Sequence, residues 1–354
     1  MAVSLHRDTG PGPHRHPSAE DSAPSSIAVI IPAYRVRDHI LGVIGDVGRE
    51  VSMIIVVDDA CPEKSGDFVE QTCTDPRVTV VRHDRNQGVG GAVLTGMREA
   101  MARGADVLVK VDGDGQMDAT LAGNFAAPIV NGQADYVKGN RFFYLEASET
   151  MPFARRAGNL ALTFISRFST GYYSLSDPTN GYIAIDRRLA ECLPMEKLSK
   201  RYFFETDLLF RINTLGAKVV EIPHNAVYGD EESSLDVRSE LFQFAGRHVV
   251  TLAKRLFYQY VLRDFNPGSV LLFLGLVFAV FGTLGAMSAW TQSTLTGIPR
   301  SGGAVALIEV LVILATIFLV GFLNYDIGKE PKQPISWLLG IGVGRPASQF
   351  ETDD

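Results

Sequence analysis

The first third of the chain alternates short apolar runs with stretches of mixed polarity. Ile27–Pro32, Val51–Val57, Val78–Val81 and Ala105–Val111 are brief and rich in β-branched residues. Such runs read as strands buried on both faces of a parallel sheet. Residues 37–49 and 91–103 between them have helical character. Strands alternating with helices predict a mostly parallel α/β sheet flanked by helices. In sheets of this kind ligands bind beyond the carboxyl ends of the strands. Here those ends carry Pro32-Ala33-Tyr34, Asp58-Asp59 and Asp112-Gly113-Asp114.

The pattern changes further on. Residues 153–170 form a helical stretch carrying Arg155, Arg156 and Arg167, and residues 240–266 mix aromatic and aliphatic side chains with Arg247, His248, Lys254, Arg255 and Arg263. The second stretch reads as an amphipathic helix at a membrane surface, with a soluble core-facing helix as the alternative. Ser269–Trp290 is uncharged, and Ala304–Tyr325 carries one acid, Glu309. Each is long enough to cross a bilayer, which takes about 20 apolar residues. Glu309 is placed either against a neighbouring helix or polar lipid group, or near the outer end with its carboxylate reaching water. The intervening linker is short, so the two spans predict a hairpin with both outer ends on one side. Lys254, Arg255 and Arg263 precede it and Lys329 and Lys332 follow it, against Arg300 alone in the linker. That bias predicts a cytoplasmic domain at 27–239 and a cytoplasmic C-terminal tail at 326–354.

Composition narrows the class. Residues 1–26 are rich in Pro, Ser, Gly and His and hold almost no large apolar side chain, which predicts a disordered tail. The tail lacks the apolar core of a signal peptide, in keeping with a cytoplasmic domain. A formal net charge of -7 argues against nucleic-acid binding. Cys61, Cys73 and Cys192 are scattered and read as reduced thiols, not as a zinc site or a disulfide framework.

The chemistry concentrates at Val107–Met117. If the chain stays extended, Asp112, Asp114 and Gln116 project to one side, and Gly113 and Gly115 leave room for a ligand. Hard oxygen donors at a strand end suit Mg²⁺ or Mn²⁺, which often also bind substrate phosphates. An acidic strand-to-helix turn is the competing reading of this segment alone.

Taken together, the motifs resemble the family 2 glycosyltransferases of GT-A fold, and among them the polyprenyl-phosphate glycosyltransferases. They are Ile30-Ile31-Pro32-Ala33-Tyr34, Val56-Val57-Asp58-Asp59, Asn86-Gln87-Gly88-Val89-Gly90, Asp112-Gly113-Asp114-Gly115-Gln116, Asp177-Pro178-Thr179-Asn180-Gly181 and Glu221-Ile222-Pro223, in the family's order. The resemblance implies a GT-A catalytic domain followed by a transmembrane hairpin. It implies inverting transfer of one hexose from a UDP- or GDP-sugar to polyprenyl phosphate at the cytoplasmic face of the cell membrane. Pro32, Tyr34, Asp58 and the adjacent Asp59 would line the nucleotide site. Asp112 would lie near the ribose, diphosphate or metal, while Asp114 and Gln116 hold the divalent ion. Arg141, with Arg155 or Arg156, would meet the lipid phosphate. Asp177 would contact the sugar or assist as a base, with a loop-capping role as its alternative. Glu205 and Asp207 fall where related enzymes carry acceptor-side acids. Room remains for a homo-oligomer.

Two departures from the family pattern stand out. Ala60-Cys61 replaces the usual Gly-Ser after Asp58-Asp59, which puts that turn in question. Asn225-Ala226-Val227 offers no arginine for the donor diphosphate, and Arg238 is the nearest substitute. Other classes fit less well. A processive synthase would place an arginine before one of the tryptophans, Trp290 or Trp337, and neither has one. A dehydrogenase would need glycine at Val93. A membrane-anchored nucleotide-sugar-binding or scaffold protein without transferase activity is the alternative from a different class.

Overall fold

The computed structural model describes residues 25–143, 153–224 and 237–342. In chain order the elements begin β1 (Ile27–Ala33), α1 (Ile40–Asp46), β2 (Met53–Asp58), α2 (Ser65–Thr72), β3 (Val78–Arg82), α3 (Val89–Ala102), β4 (Val107–Lys110), α4 (Ala122–Val130) and β5 (Tyr136–Asn140). They continue with α5 (Phe153–Thr170), β6 (Ile183–Asp186), α6 (Arg187–Glu191), α7 (Phe204–Leu215), β7 (Val219–Pro223) and α8 (Val237–Phe257). Last come α9 (Pro267–Thr296), α10 (Gly302–Gly328) and α11 (Ser336–Gly342).

The strands form one seven-stranded sheet ordered β3-β2-β1-β4-β6-β5-β7. β6 alone runs antiparallel, pairing with β4 on one side and β5 on the other. Alternate residues of β1 serve separate apolar layers: Ala28 and Ile30 face one, Val29 and Ile31 the other. Both faces are therefore covered, which explains why these runs are continuously apolar.

Two lysines interrupt that rule. Lys110 on β4 and Lys138 on β5 both stand opposite Ile183 of β6 and are almost wholly buried. Their ammonium groups reach neighbouring carbonyls of the loop before β6, Lys138 to Asn180 at 2.6 Å and Lys110 to Gly181 at 3.1 Å. The loop is thus pinned from beneath by two charges.

α9 and α10 are the two helices among the described residues long and apolar enough to cross a membrane. They pack along each other through Gly268, Gly275 and Gly282, spaced seven apart. A Cβ at Gly275 would lie 2.8 Å from Leu319, so glycine is what allows the close approach. Their outer faces leave Phe273, Leu276, Phe281 and Leu307 exposed, and Glu309 lies on that outer surface, not in the helix contact. Both helices outrun the apolar stretches that predict them. On α9 the polar segment Thr291–Thr296 stays helical, with the hydroxyls of Thr291, Thr294 and Thr296 donating to carbonyls four residues back, until Gly297 at φ +67° ends it.

The hairpin is fastened to the domain that carries the sheet. Arg255 of α8 forms a two-pronged ion pair with Asp326 of α10, at 2.8 and 2.7 Å, and Tyr260 and Tyr173 add hydroxyl donors at 2.6 Å each. Arg255 therefore does not act as a free interfacial charge, as the sequence reading counted it. Its charge is spent inside the protein.

The C-terminal stretch is likewise more than a tail. Residues 326–328 belong to α10, and α11 returns to the sheet. Ile335 and Ser336 donate backbone N–H groups to the fully buried Asp135 at 2.9 and 2.7 Å, and Ile335 and Leu339 pack on the core. Residues 1–24 and 343–354 lie outside the described segments, so the N-terminal tail and the chain end stay expectations. Cys61, Cys73 and Cys192 are all free thiols.

Candidate active site

The carboxyl ends of β1 and β4, the start of α3 and the loop before β6 enclose an open cleft of about 650 Å³. Pro32 and Tyr34 line one part of it, with the Tyr34 ring exposed. Asp112, Asp114 and Gln116 line another, and Arg141 also reaches the cleft. Among the described residues, the sequence-predicted ones are thus largely brought together, with two instructive exceptions.

The first exception is at Asp58-Asp59. The carboxylate of Asp58 turns away from the cleft and accepts N–H donors from Cys61 at 2.7 Å and Gly66 at 2.6 Å. It closes the β2–α2 loop and does not line the predicted nucleotide site. Asp59 does reach the cleft wall, but its oxygens are occupied by the N–H groups of Gln87 and Gly88 and by the His83 ring. The Asn86–Gly90 motif therefore grips Asp59 and sets the start of α3 against the cleft. Ala60 follows with φ +53°, a left-handed conformation that favours glycine and costs an L-residue about 1 kcal/mol. The Gly-to-Ala departure is absorbed as strain in this turn.

At the end of β4, the buried ammonium of Lys110 lies 2.9 Å from Asp112 and 3.5 Å from Glu205. Burial depresses the Lys110 ammonium, but these two carboxylates more than compensate, leaving its pKa above the usual lysine value. At Lys138 burial wins instead and lowers the pKa to about 8. Asp114 accepts the N–H of Gln116 at 3.0 Å, which fixes the Gly115 turn, where φ is +77°. Among the described residues no three His, Cys, Asp or Glu side chains converge on one point. Magnesium-type sites commonly use one or two carboxylates plus substrate phosphates and not a full protein cage. The donor set Asp112, Asp114 and Gln116 fits that pattern.

The second exception is Asp177. It is fully buried behind Arg141 and accepts Nε and Nη2 at 2.8 and 3.0 Å, with Asn180 Nδ2 adding a bond at 3.0 Å. Burial opposes its charge, yet the Arg141 guanidinium and Asn180 hold its carboxyl below the usual carboxylate range. A buried, fully engaged carboxylate of this kind orients the arginine and is not placed to take a proton from a substrate. Glu221 supports it by accepting the N–H groups of Ser176 and Asp177 at 2.7 and 2.9 Å.

The remaining candidates sort by position. Arg155 and Arg156 sit in the first turn of α5, and their side chains lie outside the described residues. The same holds for the Arg238 side chain and for residues 225–236. Arg167 donates to the Leu175 carbonyl at 2.6 Å, a structural role. Asp207 accepts from Ser199 N and Arg211, whereas Glu205 faces the cleft. Sequence reasoning missed Lys110 and Arg201, both of which line the cleft. Arg201 packs across Gly88, where a Cβ would come within 2.9 Å of its side chain. A lysine two residues before the acidic pair was the available signal for Lys110.

The sequence profile of glycosyl transferase family 2 matches residues 28–193. Undecaprenyl-phosphate mannosyltransferase of Micrococcus luteus is 32% identical, covering 56% of this chain and 82% of that protein. Polyprenol monophosphomannose synthase of Mycolicibacterium smegmatis is 31% identical, covering 60% and 83%. The UDP-N-acetylglucosamine–dolichyl-phosphate N-acetylglucosaminyltransferase of Methanococcus voltae is 28% identical, covering 57% and 86%. With its mixed sheet, its cleft at the strand ends and these relatives, the chain belongs to the family 2 glycosyltransferases and has the GT-A fold.

Proposed function

We propose that the enzyme transfers one hexosyl unit, with inversion, from a UDP- or GDP-sugar to a polyprenyl phosphate at the cytoplasmic face of the cell membrane. The observation that carries this reading is Arg141, backed by Asp177, sharing one cleft with the acidic end of β4. The names of the relatives support the lipid-phosphate acceptor and differ in the sugar.

In this reading Pro32, Tyr34 and the Asp59 wall receive the nucleoside. Asp112, Asp114 and Gln116 would hold Mg²⁺ or Mn²⁺, which when bound neutralises charge on the departing diphosphate. Arg201 supplies a cation for the diphosphate that the family-pattern position does not. Arg141, with Arg155 or Arg156, binds the acceptor phosphate, whose second pKa of about 6 makes it largely a dianion near neutral pH. A phosphate oxygen attacks the anomeric carbon as the bond to the nucleoside diphosphate breaks on the opposite face. The dianionic acceptor makes a protein base unnecessary, which agrees with Asp177 serving Arg141.

The hairpin supports a location at the membrane. At about 1.5 Å per residue, the 30 residues of α9 and 27 of α10 exceed the ~30 Å hydrocarbon core. Lys254, Arg263, Lys329 and Lys332 flank the domain-side ends against Arg300 at the far loop, even with Arg255 set aside. Exposed Val249, Val250 and Phe257 on α8 and Leu160 and Phe164 on α5 offer an apolar surface beside that boundary.

The test is transfer of radiolabel from UDP-glucose, GDP-mannose and UDP-N-acetylglucosamine into polyprenyl phosphate by membranes holding the full chain. One donor should label the lipid in a Mn²⁺- or Mg²⁺-dependent manner. Asp114→Ala should abolish transfer, and Arg141→Ala should mainly raise KM for the lipid phosphate. Unchanged dependence on lipid phosphate in Arg141→Ala would remove the acceptor assignment.

A further inference from the structure

We propose that Lys110 is a built-in counter-cation that lowers the affinity of the β4 carboxylates for a bare divalent ion, reserving firm binding for an ion accompanied by a diphosphate. This rests on the reading of Asp112, Asp114 and Gln116 as the metal end of the cleft. The geometry is specific. The Lys110 ammonium is 2% exposed and lies 2.9 Å from Asp112, 3.5 Å from Glu205 and 3.1 Å from the Gly181 carbonyl. Those three contacts come from the end of β4, from α7 and from the loop before β6, so the ammonium is held in place. Gly181 is required for this arrangement, since a Cβ there would lie 2.7 Å from Lys110 Nζ and 3.0 Å from Asp112.

The electrostatic consequence follows from charge alone. Asp112 and Glu205 bring two negative charges to one partly desolvated wall, and Lys110 cancels one of them at hydrogen-bond distance. Lys138 adds a second buried ammonium under the same loop, on the other side of Ile183. A divalent ion approaching Asp112 therefore meets a fixed positive charge behind the carboxylate. A diphosphate is attracted both by the ammonium and by the ion, so an ion that arrives with one is no longer opposed by net positive charge. Metal and diphosphate binding are coupled through that attraction, and the coupling is reciprocal.

The test uses the full chain in detergent and reads binding, not turnover. Mn²⁺ alone is titrated and followed by the electron paramagnetic resonance signal of the free ion. Lys110→Met should bind bare Mn²⁺ at least tenfold more tightly than wild type. Glu205→Gln, which removes a negative charge and leaves Lys110 in place, should bind it at least threefold more weakly. The two shifts have opposite sign, and Glu205→Gln keeps the proposal testable should Lys110→Met fail to fold. By calorimetry, inorganic pyrophosphate without metal should bind Lys110→Met at least threefold more weakly than wild type, because the charge that repels the ion attracts the anion. Unchanged bare-Mn²⁺ affinity in Lys110→Met, or unchanged metal-free pyrophosphate affinity, overturns the proposal. Adding Asp114→Ala to Lys110→Met separates the two failures. If that double variant still binds Mn²⁺, the metal site itself is wrong; if binding is lost but Lys110→Met matches wild type, only the role of Lys110 fails.

Discussion

Replacing Asp177 with asparagine tests whether this buried carboxylate positions Arg141 or takes a proton. Asp177 accepts two side-chain N–H bonds from Arg141, one from Asn180 and a backbone bond from Arg141 N at 3.3 Å. Asparagine keeps one acceptor oxygen and turns an NH₂ group toward a fork of donors. Removing one partner of a buried ion pair costs about 3–5 kcal/mol. The Arg141 side chain is 29% exposed and can turn partly to water, so the lower end, about 3 kcal/mol, is expected. For a domain of this size that lowers the thermal midpoint by about 6–12 °C. The kinetic effect should fall on the acceptor: KM for polyprenyl phosphate rises about tenfold or more, with little change in donor KM. Because its folded pKa is depressed, Asp177 contributes stability above the unfolded carboxylate value that is lost as pH falls through the lower folded one. It stays ionised between pH 6 and 8, so Asp177→Asn should keep the shape of the pH–rate profile there. A thousandfold fall in kcat with acceptor KM unchanged, or disappearance of the acidic limb, would refute the positioning role.

Two further outcomes follow from buried charge elsewhere. Arg255→Met strands Asp326 inside the junction between domain and hairpin and should cost about 3–5 kcal/mol. The double variant with Asp326→Leu should recover most of that in a detergent melting assay, and equal losses in both would contradict the ion-pair account. Lys138 has a folded pKa of about 8 against an ordinary 10.5. The unfolded chain holds its proton over that interval, so stability should rise by about 3 kcal/mol between pH 8 and 10.5. Lys138→Met should flatten that rise in melting curves taken across the same range.

β1, β2 and β4 were readable because both their faces are buried, which leaves an apolar signature ending at the polar cleft, and the half-buried edge strand β3 was readable from its run of β-branched residues. β5, β6 and β7 were not. β6 has four residues, too few to show a period, and nothing local marks it as antiparallel. β5 carries Lys138 at its centre, and a lysine reads as solvated until the Asn180 carbonyl above it is known. The acidic motif was legible as a type of chemistry, yet direction was not. Asp58 and Asp59 are adjacent, and only the left-handed turn at Ala60 and the amides of Gln87 and Gly88 decide which one reaches the cleft. Asp177 failed for a similar reason, since its partner Arg141 lies 36 residues earlier.

The return of the chain to Asp135 gives assembly a required order. This carboxylate closes the start of β5, but two of its three backbone partners, Ile335 and Ser336, are made about 200 residues later, beyond both apolar helices. At synthesis rates of about 5–20 residues per second, Asp135 waits about 10–40 s with Lys218 as its one early amide donor. All seven strands precede the hairpin, but the Asp135 carboxylate gains its last two amide donors only after the chain has turned back. A chain whose C-terminal segment fails to return keeps a buried charge half-satisfied and an apolar patch uncovered at α11's docking site. A chain cut after Gly328 would thus retain every cleft residue while leaving Asp135 with Lys218 as its one backbone donor among these three.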